Sequence, residues 1–216
     1  MDDAYLVLTQ TPIIPVIAIE QLEDAVPLAE ALVAGGLTHL EVTLRTECAI
    51  AAMELIANKV TGATLGAGTV TTSQQFASTV SAGAQFVVSP GHNEALFQAS
   101  LDTAIPLLPG AVTASEIMQV TGAGFPIVKF FPAATSGGHQ AIRAFQGPFP
   151  GVNFIPTGGV NPDNLSSYLS LANVVAVGGS WMLPTALIRD KDWDGITQLA
   201  AEACNLASSL QTSKEI

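Results

Sequence analysis

Ile127-Val128-Lys129-Phe130-Phe131-Pro132-Ala133 sets one lysine inside a short apolar run, and the reading of that run decides the fold. On a strand, side chains alternate, so Val128 and Phe130 share one face while Ile127, Lys129 and Phe131 share the other. A buried ammonium is costly unless it is paired. If Val128 and Phe130 meet a covering layer of helices, Lys129 projects into the lumen of a closed barrel. Its expected place is the end of the barrel where catalytic groups collect. A structural ion pair is the bland reading of the same residue.

The same pattern repeats on either side of this run. Short apolar, β-branched runs at Ile13–Ile19, His39–Leu44, Thr64–Val70, Phe86–Pro90, Ile105–Ala111, Asn153–Gly159 and Val174–Gly179 read as further strands, each followed by an amphipathic stretch. Successive starts lie about 19 to 26 residues apart, the length of a β/α unit with short loops. Eight such units predict an α/β chain folded as one (β/α)8 barrel domain over residues 1–216. A doubly wound open sheet would leave two short edge strands, and none of these runs is weaker than the rest. Asp2–Thr11 reads as an extra N-terminal helix at the barrel floor, and Asp190–Leu210 as a final amphipathic helix.

Hydrophobic residues make up 49% of the 216-residue chain, but aromatics only 6%. The core must therefore be built from Ala, Val, Ile and Leu. Charged residues are 12%, against an average of about 25%, which suits a surface partly buried between subunits or a cold-adapted or salt-specific origin. A formal net charge of -11 argues against nucleic acid and anionic membrane as partners. Two cysteines far apart, an acidic N-terminus and no apolar run of membrane-spanning length lead to the expectation of a reduced, cytoplasmic protein.

A second polar stripe points toward Lys129. In Leu40-Glu41-Val42-Thr43-Leu44-Arg45, the residues Glu41, Thr43 and Arg45 share the lumenal face. The alternative is a structural Glu41–Arg45 pair linked through Thr43. Gly158-Gly159 and Gly178-Gly179-Ser180 follow the seventh and eighth strands, where barrels hold phosphate on backbone amides. His39, His92 and His139 lack metal-ligand spacing, and no nucleotide-binding or serine-nucleophile motif occurs, so neither metal nor cofactor is expected.

Glu41-Val-Thr-Leu-Arg-Thr46, Gly66-Ala-Gly-Thr69, Ser89-Pro-Gly91, Lys129-Phe-Phe-Pro-Ala133, Pro156-Thr-Gly-Gly159 and Gly178-Gly-Ser-Trp181 together resemble the 2-keto-3-deoxy-6-phosphogluconate (KDPG) and 4-hydroxy-2-oxoglutarate (KHG) aldolases. The likeness runs from about Pro15 to Met182, with the motifs in the family's order. It implies a class I aldolase with Lys129 as Schiff-base nucleophile and Glu41 as proton shuttle. It further implies Arg45 and Thr69 on the pyruvate-side carboxylate, with Pro90, Phe131 and Thr157 lining the pocket. Gly158, Gly159, Gly179 and Ser180 would cradle the phosphate of a phosphorylated keto acid, in a homotrimer. Phosphogalactonate-type cousins differ at Thr43 and Arg45 and lack the Gly-Gly-Ser-Trp ending. Ala134 and Ile155 depart from the commoner family residues, Glu and Cys.

Attack on a ketone needs an uncharged amine, and an ordinary lysine is neutral in only about one molecule in 2,500 at pH 7. Burial and the charge of Arg45 are expected to outweigh Glu41 and leave Lys129 as a free amine. The rival readings are a phosphate-binding barrel isomerase or synthase without a covalent intermediate, and a non-catalytic ligand-binding barrel.

Overall fold

The computed structural model describes residues 3–212. Eight parallel strands alternate with helices: β1 (Ile13–Ile17), β2 (His39–Thr43), β3 (Thr64–Gly68), β4 (Phe86–Val88), β5 (Leu107–Leu108), β6 (Ile127–Phe130), β7 (Asn153–Pro156) and β8 (Val177–Gly179). Six of them pair in the order β5-β4-β3-β2-β1-β8, and β6 pairs with β7. Bridges at Gly110–Lys129 and Thr157–Gly178 join the two groups, so the ring closes and the open-sheet alternative is excluded.

Each strand starts within a few residues of where the apolar pattern puts it, and all but β8, which ends at Gly179 as expected, stop earlier. The surplus residues curl into the loops of the barrel mouth. The fifth strand shrinks most, from Ile105–Ala111 to two residues, because Pro106 and Pro109 cannot donate to the ladder on either side. The expected N-terminal helix is a shorter 3-10 turn, Asp3–Leu8. Leu8, fully buried, packs with Ile14, Phe86, Val88, Leu108, Ile127, Ile155 and Ala176 in a separate apolar layer that fills the barrel floor. The main core lies outside the sheet, where Val128, Phe130 and Phe154 meet the helices. Lys129 lies two residues above Ile127 on the lumenal face.

Helix α1 (Ala25–Ala34) buries Leu28, Ala29 and Leu32 and ends before Gly36, whose φ of +95° suits glycine. Between them sits Gly35, where a Cβ would strike the backbone of the last helix at Ala201 N, 3.1 Å away. The remaining helices are α2 (Ala49–Lys59), α3 (Ser73–Ser81), α4 (Glu94–Thr103), α5 (Ala114–Gly122), α6 (Gly138–Phe145), α7 (Pro162–Leu169), α8 (Thr185–Arg189) and α9 (Trp193–Thr212). Side-chain caps fix the starts of several: Thr72 and Gln75 on α3, Asn93 on α4, Thr113 and Glu116 on α5, Asn161 and Asn164 on α7. Among the described residues, no helix is long and apolar enough to cross a membrane.

Candidate active site

Parallel pairing in register brings the polar residues of separate strands to one height. Val16 stands beside Glu41, Glu41 beside Gly66, Gly110 beside Lys129, and Lys129 beside Ile155. Across the lumen, Lys129 Nζ donates to Glu41 Oε1 at 3.0 Å, with side-chain exposures of 6% and 3%. The backbone of Lys129 is held on the β5 side by its own N–H to the Pro109 carbonyl (2.8 Å) and by the Ala111 N–H to its carbonyl (3.0 Å). Both backbone and head group are therefore fixed.

Glycines on neighbouring strands make room for these side chains. A Cβ at Gly68 would lie 2.8 Å from Glu41 Cγ, and one at Gly178 would lie 3.1 Å from Thr157 Cγ2. Glu41 and Thr157 occupy the space that ordinary residues at those positions would fill. Phe131 half-covers the amine from above, with its ring centroid 5.3 Å from Lys129 Nζ. The strand β7 end is laced to the β6 loop by Thr157 N–H to the Phe130 carbonyl and Ala133 N–H to the Thr157 carbonyl.

The amine of Lys129 does not stand alone, since the Glu41 carboxyl lies within 3.0 Å of it. Arg45 makes no hydrogen bond to Lys129 or Glu41 among the described residues. It is exposed and, among the described residues, forms no ion pair. The structural Glu41–Arg45 pair is absent as well, because Glu41 faces Lys129 and Thr43 Oγ1 donates to the Ile17 carbonyl at 2.8 Å. Thr43 thereby ties β2 to β1.

The other residues occupy the mouth around this pair. Arg45 and Ser180 line one cavity of about 240 Å³ at the ends of β1, β2 and β8. Pro90 and Phe131 line another of about 290 Å³ at the ends of β4, β5 and β6. Thr69, at the end of β3, has φ +60°, a conformation a β-branched residue adopts only under strain. Gly158 and Gly159 also have positive φ, +96° and +79°, and Asn164 Nδ2 holds the Gly159 carbonyl at 2.8 Å. The N–H groups of Gly159 and Ser180 carry no hydrogen bond among the described residues. They remain available to an anion.

His92 is a residue whose part the sequence did not reveal. Its Nδ1 meets the Gly110 carbonyl at 2.8 Å and its Nε2 the Gln119 side chain at 3.0 Å, while its ring stacks on Phe97. It thereby ties the loop after β4 to the β5 end that holds Lys129. No local pattern around Gly91-His92-Asn93 signals this, because Gly110 and Gln119 are distant in sequence.

The family model for KDPG and KHG aldolases matches residues 5–199. An Escherichia coli protein named KHG/KDPG aldolase is 50% identical over 200 residues, which is 93% of this chain and 94% of its own length. A Dickeya dadantii 2-dehydro-3-deoxy-phosphogluconate aldolase is 51% identical over the same length and shares. Among solved structures, the Legionella pneumophila KDPG aldolase, with pyruvate captured as a covalent carbinolamine, superposes with a TM-score of 0.89. It is 48% identical, covering 93% of this chain and 97% of that one.

Proposed function

This chain belongs to the KDPG and KHG aldolase family, and from that premise we propose that Lys129 is its Schiff-base nucleophile and Glu41 its proton carrier. The reaction cleaves 2-dehydro-3-deoxy-6-phosphogluconate to pyruvate and D-glyceraldehyde 3-phosphate, and 4-hydroxy-2-oxoglutarate to pyruvate and glyoxylate. The observation that carries this reading is the buried contact of 3.0 Å between Lys129 Nζ and Glu41 Oε1.

That contact gives the amine a route to its reactive state. Transfer of one proton from the ammonium to Glu41 leaves a neutral nucleophile beside a neutral acid. Lys129 attacks the C2 ketone, Glu41 returns its proton to the departing oxygen, and water leaves an iminium. The Glu41 carboxylate then takes the C4 hydroxyl proton. The C3–C4 bond breaks, and its electrons flow into the iminium to give an enamine while the aldehyde departs. Glu41 delivers the same proton to C3, and water hydrolyses the pyruvate imine to restore Lys129. Each step uses one carboxyl group within reach of the nitrogen.

The mouth residues supply binding. Arg45 and Thr69 hold the pyruvate-side carboxylate, and Pro90, Phe131 and Thr157 pack the carbon chain. Gly158, Gly159, Gly179 and Ser180 hold the distal phosphate. Support comes from the unused amides of Gly159 and Ser180 and from the strained Thr69. We also read residues 1–216 as one barrel domain. A cytoplasmic setting is supported by two free cysteines, Cys48 and Cys204. The low charge content and the exposed Leu101 and Met118, 64% and 63% accessible, support a homotrimer; a monomer in light scattering would reject it.

The decisive experiment is borohydride reduction in the presence of pyruvate, followed by peptide mapping. A single adduct is expected on Lys129. An adduct elsewhere, or none, rejects the covalent mechanism, and an active Lys129→Arg variant would favour an isomerase or synthase without an imine.

A further inference from the structure

The cavity that holds Arg45 and Ser180 carries two carboxylates in its lining, Glu20 and Asp24. Asp24 is buried and has Lys191 Nζ 3.6 Å from its Oδ1, while the same ammonium bonds Glu23 at 2.6 Å. Glu20, in the loop after β1, is exposed and forms no ion pair among the described residues. Among the described residues, Arg45 is the one cation in this lining. If Arg45 is engaged by the pyruvate-side carboxylate, nothing else in the lining neutralises Glu20.

We propose that Glu20 is a specificity-determining residue that biases this aldolase against substrates with a doubly charged distal group. The inference rests on the assignment of Ser180 to the distal anion given above. Coulomb repulsion scales with the product of the charges. A distal phosphate, at about −1.5 to −2 near neutral pH, is repelled by Glu20 up to twice as strongly as the single carboxylate at the far end of 4-hydroxy-2-oxoglutarate. Glu20 sits at an open rim, so the effect is moderate and salt-sensitive. It falls on substrate capture and not on the bond-breaking step at Lys129.

The test compares kcat/KM for the phosphorylated and unphosphorylated substrates in wild type, Glu20→Gln and Glu20→Lys. Glu54→Gln, on the outer helix α2, serves as the control for net charge. In Glu20→Gln the ratio of the two specificity constants is expected to shift about 2- to 5-fold toward the phosphorylated substrate at low ionic strength. The shift should be larger in Glu20→Lys, reside in KM, shrink in about 0.5 M salt, and be absent in Glu54→Gln. A ratio unmoved in both Glu20 variants, or moved equally by Glu54→Gln, overturns the role of Glu20. Failure of the wild type to release pyruvate from either substrate would instead overturn the aldolase reading beneath it.

Discussion

Lys129 and Glu41 are structural partners at 3.0 Å, and the mechanism proposed above uses the same contact for proton transfer. A buried ion pair of this kind is poor evidence for stability, since desolvation consumes much of its Coulomb energy. Under the proposed mechanism its value is that the proton Lys129 sheds has an acceptor already in contact. Glu41→Gln is expected to retain borohydride trapping of pyruvate while turnover falls by about 10²- to 10⁴-fold; a variant with near-normal turnover would remove Glu41 as proton carrier. Thr69 offers a second test, because its φ of +60° costs about 1–3 kcal/mol that glycine would not pay. Thr69→Gly is therefore expected to hold or raise the melting temperature while raising KM. A lowered melting temperature with unaltered KM would mean that the strain serves packing alone.

Strands and helices divide the labour between them, and the strands carry the information about the site. Alternation along Ile127–Phe130 correctly assigned Val128 and Phe130 to the helix side and Ile127 to the lumen. Element ends were less legible, since hydrophobicity continues into loops that line the mouth, and since Pro106 and Pro109 shorten the fifth strand. Gly68 entered the sequence reading only as part of a motif, yet on β3 it leaves space for Glu41 on β2. Gly68→Ala puts a methyl group 2.8 Å from Glu41 Cγ. It is expected to cost about 1–3 kcal/mol of stability through overpacking, and to cut turnover more than tenfold by displacing the carboxylate. Urea denaturation and steady-state rates measure the two effects separately; full activity would show that Glu41 is held by Lys129 alone.

Over the whole molecule, the closed ring brings Glu41 and Lys129, 88 residues apart, to one height and seals the floor beneath them. The floor adds a pH dependence. His39 at the base of β2 is 4% exposed and its Nε2 makes no full hydrogen bond among the described residues, so burial holds its pKa below the ordinary value; the Val7 backbone offsets only part of this. The unfolded chain then takes up the proton more readily, so this contribution to stability is present above about pH 6.5 and is lost as pH falls below it. Denaturant midpoints from pH 7 to 5 should fall less steeply in His39→Gln than in the wild type, and identical slopes would exclude His39 as the source. By itself the sequence determined the eight-fold repeat, the lumenal faces of Lys129 and Glu41 and the family, because side-chain alternation and motif order are local properties of a chain. Only the tertiary structure decided that Lys129 pairs with Glu41, that Arg45 lines a cavity with Ser180 and Glu20, and that His92 braces the end of β5. Those contacts depend on the shear and closure of the barrel, which set distances between residues that no local pattern relates.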